Sequence, residues 1–236
     1  MKHIYILLCC VLLFVISCSS AVDVSITSGG QASFTIKSEI PSAVETKLRP
    51  FLTSGSKETP IMNAAAALGV ELPKGLRLVQ SRNPKPSSYE GELRIDNLNL
   101  FISENPDLVD SGAIKLAKTD AWEELTLVFS RKTAKLFVDM FPFLDKELLD
   151  ALSPPALYDG DISAAEYTKM LGSLFGKKAM TDIENAFISF TIKTPKPILE
   201  CEGSSKTGPS TAGIKLPVLT CIILEQPITV RIRWQK

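Results

Sequence analysis

Histidine is nearly absent: the 236-residue chain has one, His3, and it lies in an N-terminal stretch that reads as a removable leader. A mature chain without histidine cannot build a Ser-His-Asp or Cys-His nucleophile or a His-ligated zinc site. Catalysis would have to rest on carboxylates, lysine, tyrosine or an oxygen-held metal. A long apolar run is also missing. The leader's apolar stretch, residues 4–16, would rise only about 20 Å as a helix, against a hydrocarbon core of roughly 30 Å, and polar Ser19 and Ser20 come after it. Neither sign of charge is in excess, with 26 basic against 26 acidic residues and no basic block, which argues against nucleic acid and against polybasic docking on anionic lipid. No phosphate-cradling glycine loop, nucleotide fingerprint or C-x-x-C pair occurs, so no cofactor is implied.

What is present begins with the leader. Lys2 and His3 form a short polar head, residues 4–16 an uncharged core, and Val15-Ile16-Ser17-Cys18 closes the segment in the manner of a signal peptide, residues 1–17. That closing tetrad resembles the lipobox of bacterial lipoproteins, with Val15 where Leu is commonest. The resemblance implies that the Cys18 thiol receives a diacylglyceryl group, that cleavage falls between Ser17 and Cys18, and that the new amine is acylated with a fatty acid such as palmitate. Several acyl chains, at about 0.8 kcal/mol per buried methylene, make a permanent anchor. Ser19 is not the Asp that commonly retains such proteins at the inner membrane, so the expected location is the outer membrane, facing the periplasm or the exterior. The alternative is an ordinary secretory signal with an incidental Cys18.

Residues 18–236 are enough for one domain with a real core. Cys9 and Cys10 leave with the leader and Cys18 is taken by lipid, so Cys201 and Cys221 remain as a pair. In an exported protein such a pair reads as a disulfide, closing a loop of about twenty residues and contributing on the order of 3 kcal/mol. Two inert buried thiols are the other reading.

Along the chain, Val22, Val24 and Ile26 alternate with polar residues, as do Ala32, Phe34 and Ile36, around a Ser28-Gly29-Gly30-Gln31 turn: a β-hairpin beside the anchor. Ser42 and Glu45 have the spacing of a capping box for a helix to about residue 52, and a second helix runs from Thr59-Pro60 through four alanines to Gly69. Strands are predicted over 76–80, from residue 92, near 113–118 and over 124–130; after Ile95 the apolar phase slips by one, which a strand absorbs only with a bulge or turn. Leu136, Phe137, Met140, Phe141, Leu144, Leu148, Leu149 and Leu152 form a helical stripe interrupted by Pro142. Ser163 and Glu166 make a second capping box, opening a helix with Tyr167, Met170, Leu171, Leu174 and Phe175 on one face before a stop at Gly176. Ile188, Phe190 and Ile192 return to strand. Strands over 198–202 and 214–224 would flank a flexible tip, 203–213, bringing Cys201 towards Cys221. Ile228, Val230, Ile232 and Trp234 end the chain as a strand paired in the sheet. The order reads as α+β, a largely antiparallel curved sheet with several helices packed on one face.

Asp159-Gly160-Asp161 lacks the remaining ligands of a calcium loop and reads as a turn, leaving no metal site. Arg231 and Arg233 could hold an anionic headgroup or simply line a solvated sheet face. The stripe from Phe137 onward covers the sheet, lines a cavity for an acyl chain, or lies on the membrane; the mixed charges around it speak against the last. Cys18, the strand after it, the Gly29-Gly30 turn and the final Ile-Thr-Val-Arg-Ile-Arg-Trp segment resemble the LppM-like class of bacterial lipoproteins, which implies a curved sheet with helices and binding of lipids or glycolipids. The expected function is therefore that of a membrane-anchored, non-catalytic lipoprotein holding a lipid or other apolar ligand between sheet and helices, with Phe137, Phe141, Tyr167 and Leu171 as ligand-binding residues. The alternative is an interaction or scaffold lipoprotein that meets an envelope protein through an exposed edge or the 203–213 tip. A hydrolase built on two converging carboxylates is a third reading.

Overall fold

The computed structural model describes residues 19–51, 58–62, 64–67, 72–138, 152–158 and 162–236. Residues 1–18, with Cys18, as well as Phe141 and the Asp159-Gly160-Asp161 segment lie outside them, as does the side chain of Phe137. The fold is α+β, with a seven-stranded sheet and a four-stranded one.

The alternation over residues 22–36 makes β1 (Ser19–Ile26) and β2 (Ala32–Glu39), an antiparallel hairpin with Val22 opposite Ile36 and Val24 opposite Phe34. Gly30, at φ 78°, donates its N–H to the Thr27 carbonyl at 2.9 Å and closes the turn. β2 pairs onward with β4 (Ser88–Ile95), which pairs with β3 (Leu76–Arg82). On its other side β1 runs parallel to β7 (Phe187–Lys193), and β10 (Thr211–Pro217) and β9 (Ser205–Gly208) complete the large sheet. The small sheet has the order β5 (Ile114–Lys118), β6 (Trp122–Phe129), β11 (Ile228–Gln235), β8 (Ile198–Glu202), all antiparallel.

The two-residue period decides which face each sheet buries. Val22, Ile36, Ile188 and Ala212 are buried, whereas Asp23, Lys37, Thr191 and Lys215 on the opposite face are exposed. The small sheet turns Leu125, Val230, Ile232 and Trp234 inward. One hydrophobic cluster takes in the inner faces of both sheets and the buried sides of the helices. Those helices are α1 (Ser42–Leu48), α2 (Ala64–Ala67), α3 (Leu98–Glu104), α4 (Pro106–Asp110), α5 (Arg131–Val138), α6 (Ala164–Glu184) and α7 (Val218–Ile223), with α1 and α7 both packed on α6. Among the described residues no helix is long and apolar enough to cross a membrane.

Several local expectations are corrected. The phase slip after Ile95 is a change of element: Asn97 caps α3, its side chain accepting the Leu100 N–H at 3.0 Å, so a strand period gives way to a helical one. Ser42 is the first helical residue of α1 and makes no capping box, and Glu45 pairs with Arg49 instead. The Ser163 box forms as expected, with Ser163 Oγ accepting the Glu166 N–H and Glu166 accepting the Ser163 N–H at 3.0 Å. The Ser163 hydroxyl, donating to the Glu166 carboxylate at 2.6 Å, and the Ser163 N–H together hold that carboxyl below its ordinary pKa. Gly176 does leave helical geometry (φ 75°, ψ 167°), yet α6 resumes to Glu184, because Ala179, Met180 and Ile183 supply more core.

The 203–213 tip is a folded crossover. After β7 the chain leaves the large sheet at Thr194, whose buried hydroxyl donates to the Lys196 carbonyl at 2.7 Å, runs through β8 in the small sheet, and returns as β9 and β10. Pro217 then ends β10 and opens α7, so 214–224 is a strand followed by a helix. This overturns the disulfide: Cys201 faces Ile232 in the small sheet, Cys221 is buried in α7, and both are free thiols.

Candidate functional site

The strands that carry the inner faces leave a gap where the sheets oppose each other. From the large sheet Val22, Val24, Phe34, Phe190, Ile214 and Leu216 project into it; from the small sheet come Leu125, Leu127, Phe129, Ile228 and Val230. Leu98, the first residue of α3, also lines it. Register explains the convergence, since Val22 is opposite Phe190, which is opposite Ile214, while Leu127 is opposite Val230. The cavity is about 80 Å³, and its fifteen lining residues are all Val, Ile, Leu, Phe or Ala.

Such a space offers water nothing to bond to, so it stays dry and favours hydrocarbon. The lining side chains are not uniformly sealed. Val22 is 1% exposed, but Val24, Leu127, Phe190, Leu216 and Ile228 are only half-buried, although all point inward. Inner faces packed to ordinary density would bury these five as fully as Val22.

The sequence reading puts a ligand between sheet and helices, with Tyr167 and Leu171 among its contacts; the structure puts neither residue on the cavity between the sheets. Tyr167 is 1% exposed and donates its hydroxyl to the Leu152 carbonyl at 3.0 Å, while Leu171 is 3% exposed; both join α6 to the core and neither lines the cavity. Burial raises the Tyr167 pKa, keeping it a neutral donor. Burial also pushes the Cys221 thiol up to about 12, which leaves it a protonated, unreactive core residue.

Arg231 and Arg233 are not an open anion site. Arg231 pairs with Glu202 at 2.6 Å, and Arg233 with Glu124 at 2.7 Å and Glu200 at 2.8 Å, its guanidinium stacked 4.6 Å from the Trp122 ring centroid. Among the described residues no three His, Cys, Asp or Glu side chains gather where a metal could be held.

The residues missed were legible as strand faces. Val22, Val24, Phe34, Phe190, Ile214, Leu125, Leu127, Ile228 and Val230 all alternate in the sequence. The missing information was that the strands divide between two sheets that face each other.

No protein-family model matches the chain, and no curated protein matches it. Among solved structures the chain is similar to the folded domain of the Mycobacterium tuberculosis LppM protein, determined by NMR. The match has 9% identity, covers 92% of this chain and 88% of that chain, and has a TM-score of 0.41. What the site does has to come from its own residues.

Proposed function

We propose that this chain is a lipid-anchored, non-catalytic envelope module that takes an apolar ligand, an acyl chain or a molecule of similar hydrocarbon character, between its two sheets. The observation that carries this reading is the wholly apolar lining of the cavity, which offers hydrocarbon contact and no group that could polarise a bond or move a proton. The anchor is the lipid on Cys18, and the destination is the outer membrane. The resting cavity, about 80 Å³, is well below the roughly 300–1,000 Å³ of a pocket that takes a whole ligand, so it admits a chain end first. Deeper entry separates the sheets along the half-buried residues Val24, Leu127, Phe190 and Leu216.

Native mass spectrometry of residues 19–236, purified without detergent after export, tests the reading. A bound mass matching an acyl lipid, lost in a Val24→Phe variant that remains folded, is the expected result. A bare mass together with an unchanged melting temperature in added fatty acid would sink it. That outcome would favour the envelope interaction reading, in which the β9–β10 crossover meets a protein partner.

A further inference from the structure

How the domain sits on its membrane depends on the lipid attachment proposed for Cys18, and β1 begins at the very next residue. Ser19 is paired on both sides at once, with Glu39 of β2 and with Phe187 of β7. One residue spans at most about 3.6 Å. The headgroup layer is about 5–7 Å deep in each leaflet. A lipid on Cys18 therefore leaves no linker, and this end of the large sheet has to lie in or against the headgroups.

The chemistry of that end differs from the rest of the chain. An open cleft of about 580 Å³ lies there, lined by Lys37, Lys85 and Lys215 together with Glu39, Glu90 and Phe187. Glu39 is bound by Lys85 at 3.0 Å and Glu90 by Arg82, so the acids are matched locally and Lys37 and Lys215 give the cleft a net positive charge. Lys215 Nζ stands 4.1 Å from the Phe187 ring centroid, which orients the ammonium beside a half-buried aromatic. The whole chain, in contrast, balances 26 against 26.

We propose that the Ser19 end of the large sheet docks on anionic phospholipid headgroups of the membrane that holds the Cys18 lipid, with Lys37 and Lys215 as the contacting groups. These lysines are too few to recruit the protein alone, but they orient a domain already held at the surface. Lys193, at the far end of β7, is six residues from Phe187 and so about 20 Å away along the strand. That exceeds the Debye length of about 8 Å at physiological salt, so Lys193 is blind to the surface. Each contacting lysine is expected to react about fivefold more slowly when engaged, the factor that corresponds to about 1 kcal/mol per basic residue near an anionic leaflet.

The test is acetylation footprinting of the full lipidated chain in vesicles of phosphatidylcholine alone, or of phosphatidylcholine with phosphatidylglycerol. Lys37 and Lys215 should be protected about fivefold on the anionic vesicles, with Lys193 and Lys206 unchanged. A Lys37→Glu variant, altered only at an exposed position, should float with the vesicles and lose the protection of Lys215. Equal reactivity at both ends of the sheet, or equal protection on neutral vesicles, overturns the docking while leaving the anchor intact. An intact mass without acyl groups on Cys18, and failure to float, overturns the anchor and the docking together.

Discussion

Gly203 lies so close to the Thr229 carbonyl that a Cβ added to it would come within 2.0 Å of that oxygen. The contact occurs where the chain leaves β8 for β9, passing from the small sheet to the large one over the start of β11, and Gly203 makes the pass at φ 67°. Gly203→Ala should therefore cost about 3 kcal/mol, combining left-handed strain with backbone displacement. Gly30→Ala is the comparison, since Gly30 has φ 78° but nothing within 4 Å of its added Cβ, and about 1 kcal/mol is expected. Urea unfolding of the two variants reads the difference. Equal losses would mean that the crossover does not need the close approach.

The cavity predicts that filling it stabilises the empty protein. Val24 is half-buried and faces the gap, so Val24→Leu adds a methylene where there is room and should gain about 0.8 kcal/mol, or roughly 2–3 °C in melting temperature. Ile36→Leu, on the same sheet face but 1% exposed and outside the cavity, should lose stability through a misfit shape. If both variants lose stability, the gap between the sheets is already filled.

Much of this arrangement could be read in advance and some could not. The alternation in 22–26, 32–36, 188–192 and 228–234 named the strands and their inner faces, because a half-buried strand has to alternate. Ser163 and Glu166 marked the start of α6 for the same local reason. Long-range facts were not legible: nothing in the 198–224 sequence says that β8 joins one sheet and β10 the other, and the expected disulfide failed on that point. Pro217 was the available signal, because a proline without an N–H can open a helix as readily as it can interrupt a strand.

With both thiols free, the intact mass should be two hydrogens heavier than that of a bridged form, and thiol reagents should distinguish the two cysteines. Cys201 is half-buried and should react slowly in the native state, while Cys221, fully buried with its pKa pushed up to about 12, should react only on unfolding. Cys221→Ser should cost about 1–3 kcal/mol by burying a hydroxyl without a partner. A mass two hydrogens light in protein exported under oxidising conditions would restore the bridge.

Arg233 should matter more than its neighbour two residues away. It satisfies Glu124, whose side chain is only 13% exposed, and packs on Trp122, so Arg233→Ala strands a half-buried carboxylate and should cost about 2 kcal/mol. Arg231, paired with more exposed partners and with its Nε buried without a bond, should cost about 0.5 kcal/mol or less when replaced by alanine. Denaturation curves at low and high salt should show only the smaller effect fading. Equal effects would place both arginines on an ordinary solvated face.

Alkaline pH should unfold the protein earlier than its surface groups alone would. The Cys221 thiol has its pKa raised by burial from 9.0 to about 12, and the Tyr167 hydroxyl is raised in the same direction from 10.0. Between those limits the unfolded chain releases a proton that the native state keeps, so the native state holds more protons and stability falls as pH rises. The contribution of Cys221 is complete below pH 9 and is lost progressively up to about 12; that of Tyr167 begins to fail near 10. Ionising Tyr167 also removes the donor to the Leu152 carbonyl. Tyr167→Phe and Cys221→Ala should each flatten the fall in melting temperature above pH 9, even though both lower it at neutral pH. If the slope is the same in wild type and in both variants, other groups set the alkaline limit and neither buried acid is coupled to folding.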